Sequence, residues 1–204
     1  MKTREAILSE ALKLFAMRGY EAVSVADIAD RLGITKGALY RHYKNKRDIL
    51  DQIILRMQEN DAKRAEEYEV PQETYEKTPQ AYENGSLEAM YAFTKAQFEY
   101  WTEDAFAADF RRMLTLEQYH DAEMMQLYQD YLSGGVIAYL EDFFREIKTT
   151  DNLQKEQHSP QQLALDLFAP FYMLLNLYDA AEDKEEVKRV FEAHLENFRM
   201  RFKR

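Results

Sequence analysis

Cysteine is absent from all 204 residues. That excludes a disulfide framework and any thiolate metal site. Proline occurs four times and glycine six, so loop-rich and low-complexity architectures are also out. No segment alternates apolar and polar residues with a period of two, and no sheet is expected. The longest apolar run, Leu167–Leu175, is nine residues, far short of the ~20 a membrane-spanning helix needs. Glu5 and Glu10 interrupt the apolar pattern at the N-terminus, which a secretory signal peptide does not allow. What remains is an all-α chain expected in the cytoplasm. With 46 % hydrophobic residues it has the material for a real core.

Charge is present but unevenly spread. The formal net charge is −10. Residues 1–64 nevertheless hold 13 Lys and Arg against 9 Asp and Glu, a net of +4. Residues 65–204 hold 14 against 28, a net of −14. Within the first part, Arg31 to Arg47 contains six basic residues and no acidic one. Such asymmetry points to an N-terminal part that faces nucleic acid and an acidic remainder with another task.

Helical periodicity runs through both parts. In 3–18, Ile7, Leu8, Ala11, Leu12 and Phe15 form one stripe, and Gly19 is placed to stop the helix in a left-handed conformation. Ser24-Val25-Ala26-Asp27 reads as a capping box opening a short helix that ends at Gly33. Thr35 caps a third helix over about 36–43, with Leu39 and Tyr43 on its inner face. A fourth helix is expected from about 45 to 66, followed by a polar linker over 67–86. Leu87, Met90, Tyr91, Thr94, Phe98 and Trp101 then mark a helix, and Asp104 a cap for a short one reaching about Met113. Residues 121–148 read as one long helix bent at Gly134-Gly135. Ser159-Pro160 opens a helix to about 181, kinked at Pro170. The last helix covers 184–202, with Val187, Val190, Phe191, His194, Leu195 and Phe198 in one stripe.

Two short helices joined by Gly33-Ile34-Thr35 make a helix-turn-helix, whose second helix enters the major groove N-terminus first. The residues there suit that task. Lys36 reaches guanine acceptors or a phosphate, and Ala38 offers a methyl to thymine. Gly37 has no side chain, so the backbone can approach DNA closely. Tyr40, Arg41 and His42 point away from the Leu39/Tyr43 face, toward phosphates. Lys46 stands at the start of the fourth helix, where the helix dipole also attracts phosphate.

The segment Ile7–Leu50 resembles the DNA-binding domain of TetR-family transcriptional regulators. The resemblance is carried by Leu14-Phe15 before Gly19-Tyr20, Ser24-Val25 with Ile28-Ala29, and Leu32-Gly33-Ile34. It continues through Lys36-Gly37, Leu39-Tyr40 and Tyr43-Lys44-Asn45-Lys46. It implies DNA contact through Ser24, Thr35, Lys36, Ala38, Tyr40, His42 and Lys46. It also implies two domains, a DNA-binding domain over 1–46 and a helical effector-binding and dimerisation domain over 47–204. The implied function is that of a repressor that binds a palindromic operator as a homodimer and is released by a small molecule. In TetR-like proteins the last two helices, here 160–181 and 184–202, make the dimer interface. Neither cofactor nor catalytic residue is expected.

The acidic remainder is rich in rings. Residues 87–180 hold 17 of the 27 aromatic side chains. These supply a core, and with five Met in the same stretch also a pocket for a hydrophobic or cationic effector. Phe98, Trp101, Phe110, Met124, Tyr128, Tyr131, Phe171 and Asn176 are the candidate lining. Two alternatives stay open. One is a DNA-binding regulator governed by a protein partner. The other is a di-metal carboxylate enzyme, for which Glu117-Gln118-Tyr119-His120 has the Glu-x-x-His spacing but no second copy.

Overall fold

The computed structural model describes residues 3–71, 86–150 and 158–202. Among these are ten helices and no strand. They are α1 (Thr3–Arg18), α2 (Val25–Leu32), α3 (Lys36–Tyr40), α4 (Lys46–Glu67), α5 (Leu87–Glu103), α6 (Ala105–Glu117), α7 (Ala122–Leu132), α8 (Gly134–Thr150), α9 (Pro160–Ala180) and α10 (Lys184–Met200). The expected linker over 67–86 falls largely outside the described residues. No described helix is long and apolar enough to cross a membrane.

The chain forms two compact units. One comprises residues 1–61 and 103–128, the other 62–102 and 129–204. The expected boundary after residue 46 therefore does not coincide with a unit edge. The first four turns of α4, all of α6 and most of α7 belong with the N-terminal helices.

In the first unit α1 buries Ile7, Ala11, Leu12 and Phe15 completely. It packs on α2 and on α6, where Ala107, Phe110, Met113 and Leu114 are equally buried. From α4, Ile49, Ile53 and Met57 complete this core. Arg56 of α4 lies with its guanidinium carbon 4.0 Å from the ring centre of Phe106 on α6, a cation–π contact.

The second unit is built around aromatic rings. Phe98 of α5 stacks on Phe191 of α10 at 4.0 Å and meets Phe171 of α9 edge-on at 5.6 Å. These are favoured pair geometries for rings. Phe143, Phe144, Leu163, Leu167 and Leu175 fill the space between α8, α9 and α10. At the rim, Arg199 of α10 grips both oxygens of Glu88 on α5, at 2.9 and 2.8 Å.

Three expectations change. The helix expected over 121–148 is two helices interrupted at Ser133. The physical reason is a close approach. A Cβ on Gly135 would stand 2.8 Å from Cα of Asp130 and 2.9 Å from its carbonyl oxygen, so the break is folded tightly onto the preceding turn. Helix α3 ends at Tyr40, short of the expected 43, because residues 41–45 serve the next helix. The Asp48 carboxylate accepts the Lys44 amide at 2.7 Å and the Asn45 side chain accepts the Asp48 amide at 2.8 Å. Conversely α6 runs a turn beyond Met113 to Glu117. The Asp104 cap is as read, accepting the Ala107 amide at 2.9 Å.

The glycine pair yields a test. Gly135→Ala should destabilise the second unit by about 1–3 kcal/mol through overpacking against backbone. Gly134→Ala meets only the Gln129 side-chain oxygen, at 3.1 Å, and should cost clearly less, since alanine also favours helix. Equal shifts of the denaturant midpoint for the two variants would contradict this account of the break.

Candidate nucleic-acid interface

Local chemistry explains why the helix-turn-helix forms. Ser24 accepts the Asp27 amide at 3.2 Å, and the Asp27 carboxylate accepts the Ser24 amide at 2.7 Å, a reciprocal cap. Gly33 ends α2 at φ +64°, a left-handed conformation that suits glycine. Thr35 then caps α3, its hydroxyl accepting the Ala38 amide at 3.1 Å. Leu39 and Tyr43 are buried beneath α3, and the Tyr43 hydroxyl donates to the Arg4 carbonyl at 3.0 Å.

The opposite face is open. Ser24, Thr35, Lys36, Gly37, Tyr40, Arg41 and His42 are all exposed, and Ala38 is half-buried. Tyr40 is 51 % exposed, a large ring left uncovered among the described residues. Of the nine residues expected to face DNA, seven are thus exposed and Ala38 is half-buried.

The ninth, Lys46, is differently placed. Its ammonium donates to the Tyr20 carbonyl at 2.9 Å and lies 4.1 Å from the Tyr20 ring centre. Glu21 is 3.9 Å away. Two other cations of the basic stretch are also engaged. Arg31 pairs with Glu10 at 2.8 Å. Arg47 pairs with Asp51 at 2.6 Å and with Glu123 of α7 at 2.7 Å. Among the described residues Lys36, Arg41 and Lys44 have no carboxylate partner. The positive charge available to a polyanion is therefore concentrated at α3 and just after it.

The expected effector residues divide between the units. Phe110, Met124 and Tyr128 belong to the first, and all are buried. Phe98, Trp101, Tyr131 and Phe171 belong to the second, where Trp101 meets Tyr131 edge-on at 6.3 Å. Asn176 does not fit the expectation of a buried lining residue. It is exposed, and its amide donates to the Tyr172 carbonyl of its own helix at 2.8 Å.

Two features escaped the sequence. On α9, Leu163, Leu167, Phe171, Leu174 and Leu175 are buried in the core. A second set of apolar residues, Leu165, Met173 and Leu177, with Val190 on α10, points outward at 46–60 % exposure. The second feature is Glu117, whose carboxylate is buried and accepts the Tyr20 amide at 2.8 Å. Its Glu-x-x-His partner His120 lies 3.6 Å away. Among the described residues no three His, Asp or Glu converge in a way that could hold a metal ion.

This architecture defines a class: a helix-turn-helix packed on further helices in one unit, with a second, aromatic-rich helical unit. Residues 7–53 match the family described as bacterial regulatory proteins, tetR family. The N-terminal segment is 42 % identical over 52 residues to the HTH-type transcriptional regulator AcrR of Shigella flexneri, covering 26 % of this chain and 24 % of that protein. It is 41 % identical over 51 residues to the HTH-type transcriptional repressor KstR2 of Mycolicibacterium smegmatis, 25 % of each. The match spans only about a quarter of the length of these relatives. The fold is shared much further. A TetR-family transcriptional regulator from Marinobacter aquaeolei VT8 superposes with a TM-score of 0.65 at 21 % identity, over 99 % of this chain and 91 % of the other. SmeT, the repressor of the Stenotrophomonas maltophilia multidrug efflux pump SmeDEF, gives 0.62 at 22 % identity over the same shares. The N-terminal segment thus matches the tetR family of bacterial regulatory proteins, and the chain as a whole shares the fold of these solved structures.

The cap of α2 predicts a pH response. Hydrogen bonds from the Ser24 hydroxyl and amide, helped by Arg18, pull the Asp27 carboxyl down to about 2 from its ordinary 3.8. A lowered folded value means the carboxylate stabilises the fold above the ordinary value. That contribution fades as pH falls from about 4 toward 2. Asp27→Asn should therefore lower the unfolding midpoint near neutrality, with the difference from wild type shrinking below about pH 3. A difference independent of pH would argue against the carboxylate.

Proposed function

We propose that this protein is a repressor that binds a near-palindromic DNA site as a C2 homodimer and releases it on binding a small apolar molecule. The observation that carries the DNA half is the exposed face of α3, where Lys36, Tyr40 and Arg41 stand free over a buried Leu39/Tyr43 base. Lys36, Gly37 and Ala38, at the N-terminal end of α3, face base edges. Tyr40, Arg41 and His42 face phosphates, with Ser24, Thr35 and Lys46 at the border.

The dimer half rests on Leu165, Met173, Leu177 and Val190. These are large apolar side chains on α9 and α10 left exposed among the described residues, the kind of surface that marks a partner. A second copy seated through residues 160–181 and 184–202 would have to present two α3 helices about 34 Å or a multiple apart to a palindromic site.

The effector half rests on the rings of the second unit, and a solved SmeT–triclosan complex shows a protein of this fold with an aromatic ligand. We assign entry near Trp101 and Tyr131, since Phe98 is already stacked on Phe191. The cationic alternative loses ground here. Arg64 lies 4.3 Å over the Tyr100 ring, which is 5.7 Å from Trp101, so a positive charge already occupies that aromatic face. Such a ligand acts only by binding the two DNA-affinity states differently. Coupling of about 1–3 kcal/mol, typical of allosteric proteins, changes DNA affinity by about 5- to 150-fold. A site in the cytoplasm follows from the DNA target.

DNA enriched from a random pool by the full chain should be a near-palindrome. Arg41→Ala should weaken binding to all sequences and flatten the salt slope by about one unit, whereas Lys36→Ala should relax sequence preference. Unchanged preference with Lys36→Ala would remove its base-reading role. Met173→Glu should shift light-scattering mass from dimer toward the 24.2 kDa monomer.

Trp101 is the only tryptophan, so its fluorescence reports occupancy. A panel of apolar aromatic compounds, triclosan included, should contain one that quenches it and releases the enriched DNA. A compound that quenches Trp101 while DNA affinity stays within about twofold would favour control by a protein partner.

A further inference from the structure

In the first unit a chain of contacts connects the end of α6 to the start of α4 through the corner between α1 and α2. Glu117, the last residue of α6, is 4 % exposed. One carboxylate oxygen accepts the Tyr20 amide at 2.8 Å, across 97 residues of sequence. The same oxygen lies 2.8 Å from where a Cβ of Gly19 would stand, and Gly19 has φ +80°. Only glycine gives both the turn and the clearance for the carboxylate.

Tyr20 passes the constraint on. Its ring packs edge-on against the buried Phe15 at 5.1 Å. Its carbonyl accepts the Lys46 ammonium, which also lies over the ring. Glu21 is the next residue, and Ser24, the cap of α2, follows three later. The corner thus decides where α2 begins and where the first turn of α4 is anchored. A buried carboxylate committed to a backbone amide is a costly arrangement unless the bond is made. This also gives the lone Glu-x-x-His spacing a role without metal.

We propose that Glu117 is a positioning residue for DNA binding: by holding the Tyr20 amide it sets the α1–α2 corner, and through Tyr20 and Lys46 it sets the helix-turn-helix against α4. The proposal rests on the regulator reading above. What matters is an acceptor atom at that point, not the negative charge.

Two mild variants separate these. Glu117→Gln keeps an acceptor oxygen at the same reach and loses the charge. Glu117→Asp keeps the charge and loses the reach. On DNA enriched by the wild type, Glu117→Gln should bind within about threefold of wild type and Glu117→Asp about tenfold more weakly. Hydrogen exchange at the Tyr20 amide should be slow in wild type and Glu117→Gln and faster in Glu117→Asp. The reverse order, with Asp tolerated and Gln not, would overturn the proposal, as would wild-type affinity for Glu117→Asp. A wild type that enriches no sequence would instead remove the regulator reading, and the DNA role of Glu117 with it. Enrichment by wild type with equal binding by both variants removes the positioning role alone.

Discussion

The burial of Leu39 and Tyr43 is the interaction on which the exposed face of α3 depends. Helix α3 has five residues, far too few to be stable alone. Its shape exists because Thr35 caps one end and these two side chains are held in a core supplied by other helices. Tyr43 is further fixed by donating to the Arg4 carbonyl, and burial raises its pKa above the ordinary value of 10.0. The reading face is therefore a projection of the core beneath it. Anything that moves α1 or α4 moves the exposed Lys36, Tyr40 and Arg41 with it.

That dependence explains why the compact unit extends beyond the N-terminal helices. Three short helices bury little surface, and small domains are marginal for that reason. Here α6 and most of α7 add Phe110, Met113, Leu114 and Met124 to the same unit. Arg47 makes the connection polar as well, reaching Glu123 from the first turn of α4. The head is thus supported by residues more than sixty positions away in sequence. The same supporting helix carries the buried Glu117.

Legibility in the sequence followed the range of the forces involved. Caps and turns are local, so Ser24, Gly33, Thr35, Asp104 and Ser159 were readable where they stand. Periodicity also located Leu39 and Tyr43, because a helix puts i and i+4 on one face. Fine boundaries failed where two elements compete for the same residues, as at 41–45, or where backbone meets backbone, as at Gly135. Long-range pairings could not be read. Nothing in the pattern joins Glu117 to Tyr20, or Arg31 to Glu10. On α9, apolar residues surround the helix, and periodicity alone does not say which arc faces inward. Val190 sits in a core-like stripe yet points out for the same reason.

Under the proposed function, the pairing of basic residues inside the head has a consequence for how the protein would move along DNA. Counting the sequence suggests six cations between Arg31 and Arg47, but Arg31, Arg47 and Lys46 are already satisfied within the protein. Each phosphate neutralised adds about 0.9 to the exponent with which affinity falls as salt rises. A head with about three available cations in this segment grips arbitrary sequence loosely. Its residence on the wrong DNA is correspondingly short. Under the proposed function, an acidic remainder that discourages other polyanions would suit the protein to sampling many sites quickly and pausing only where base contacts add to the phosphate contacts.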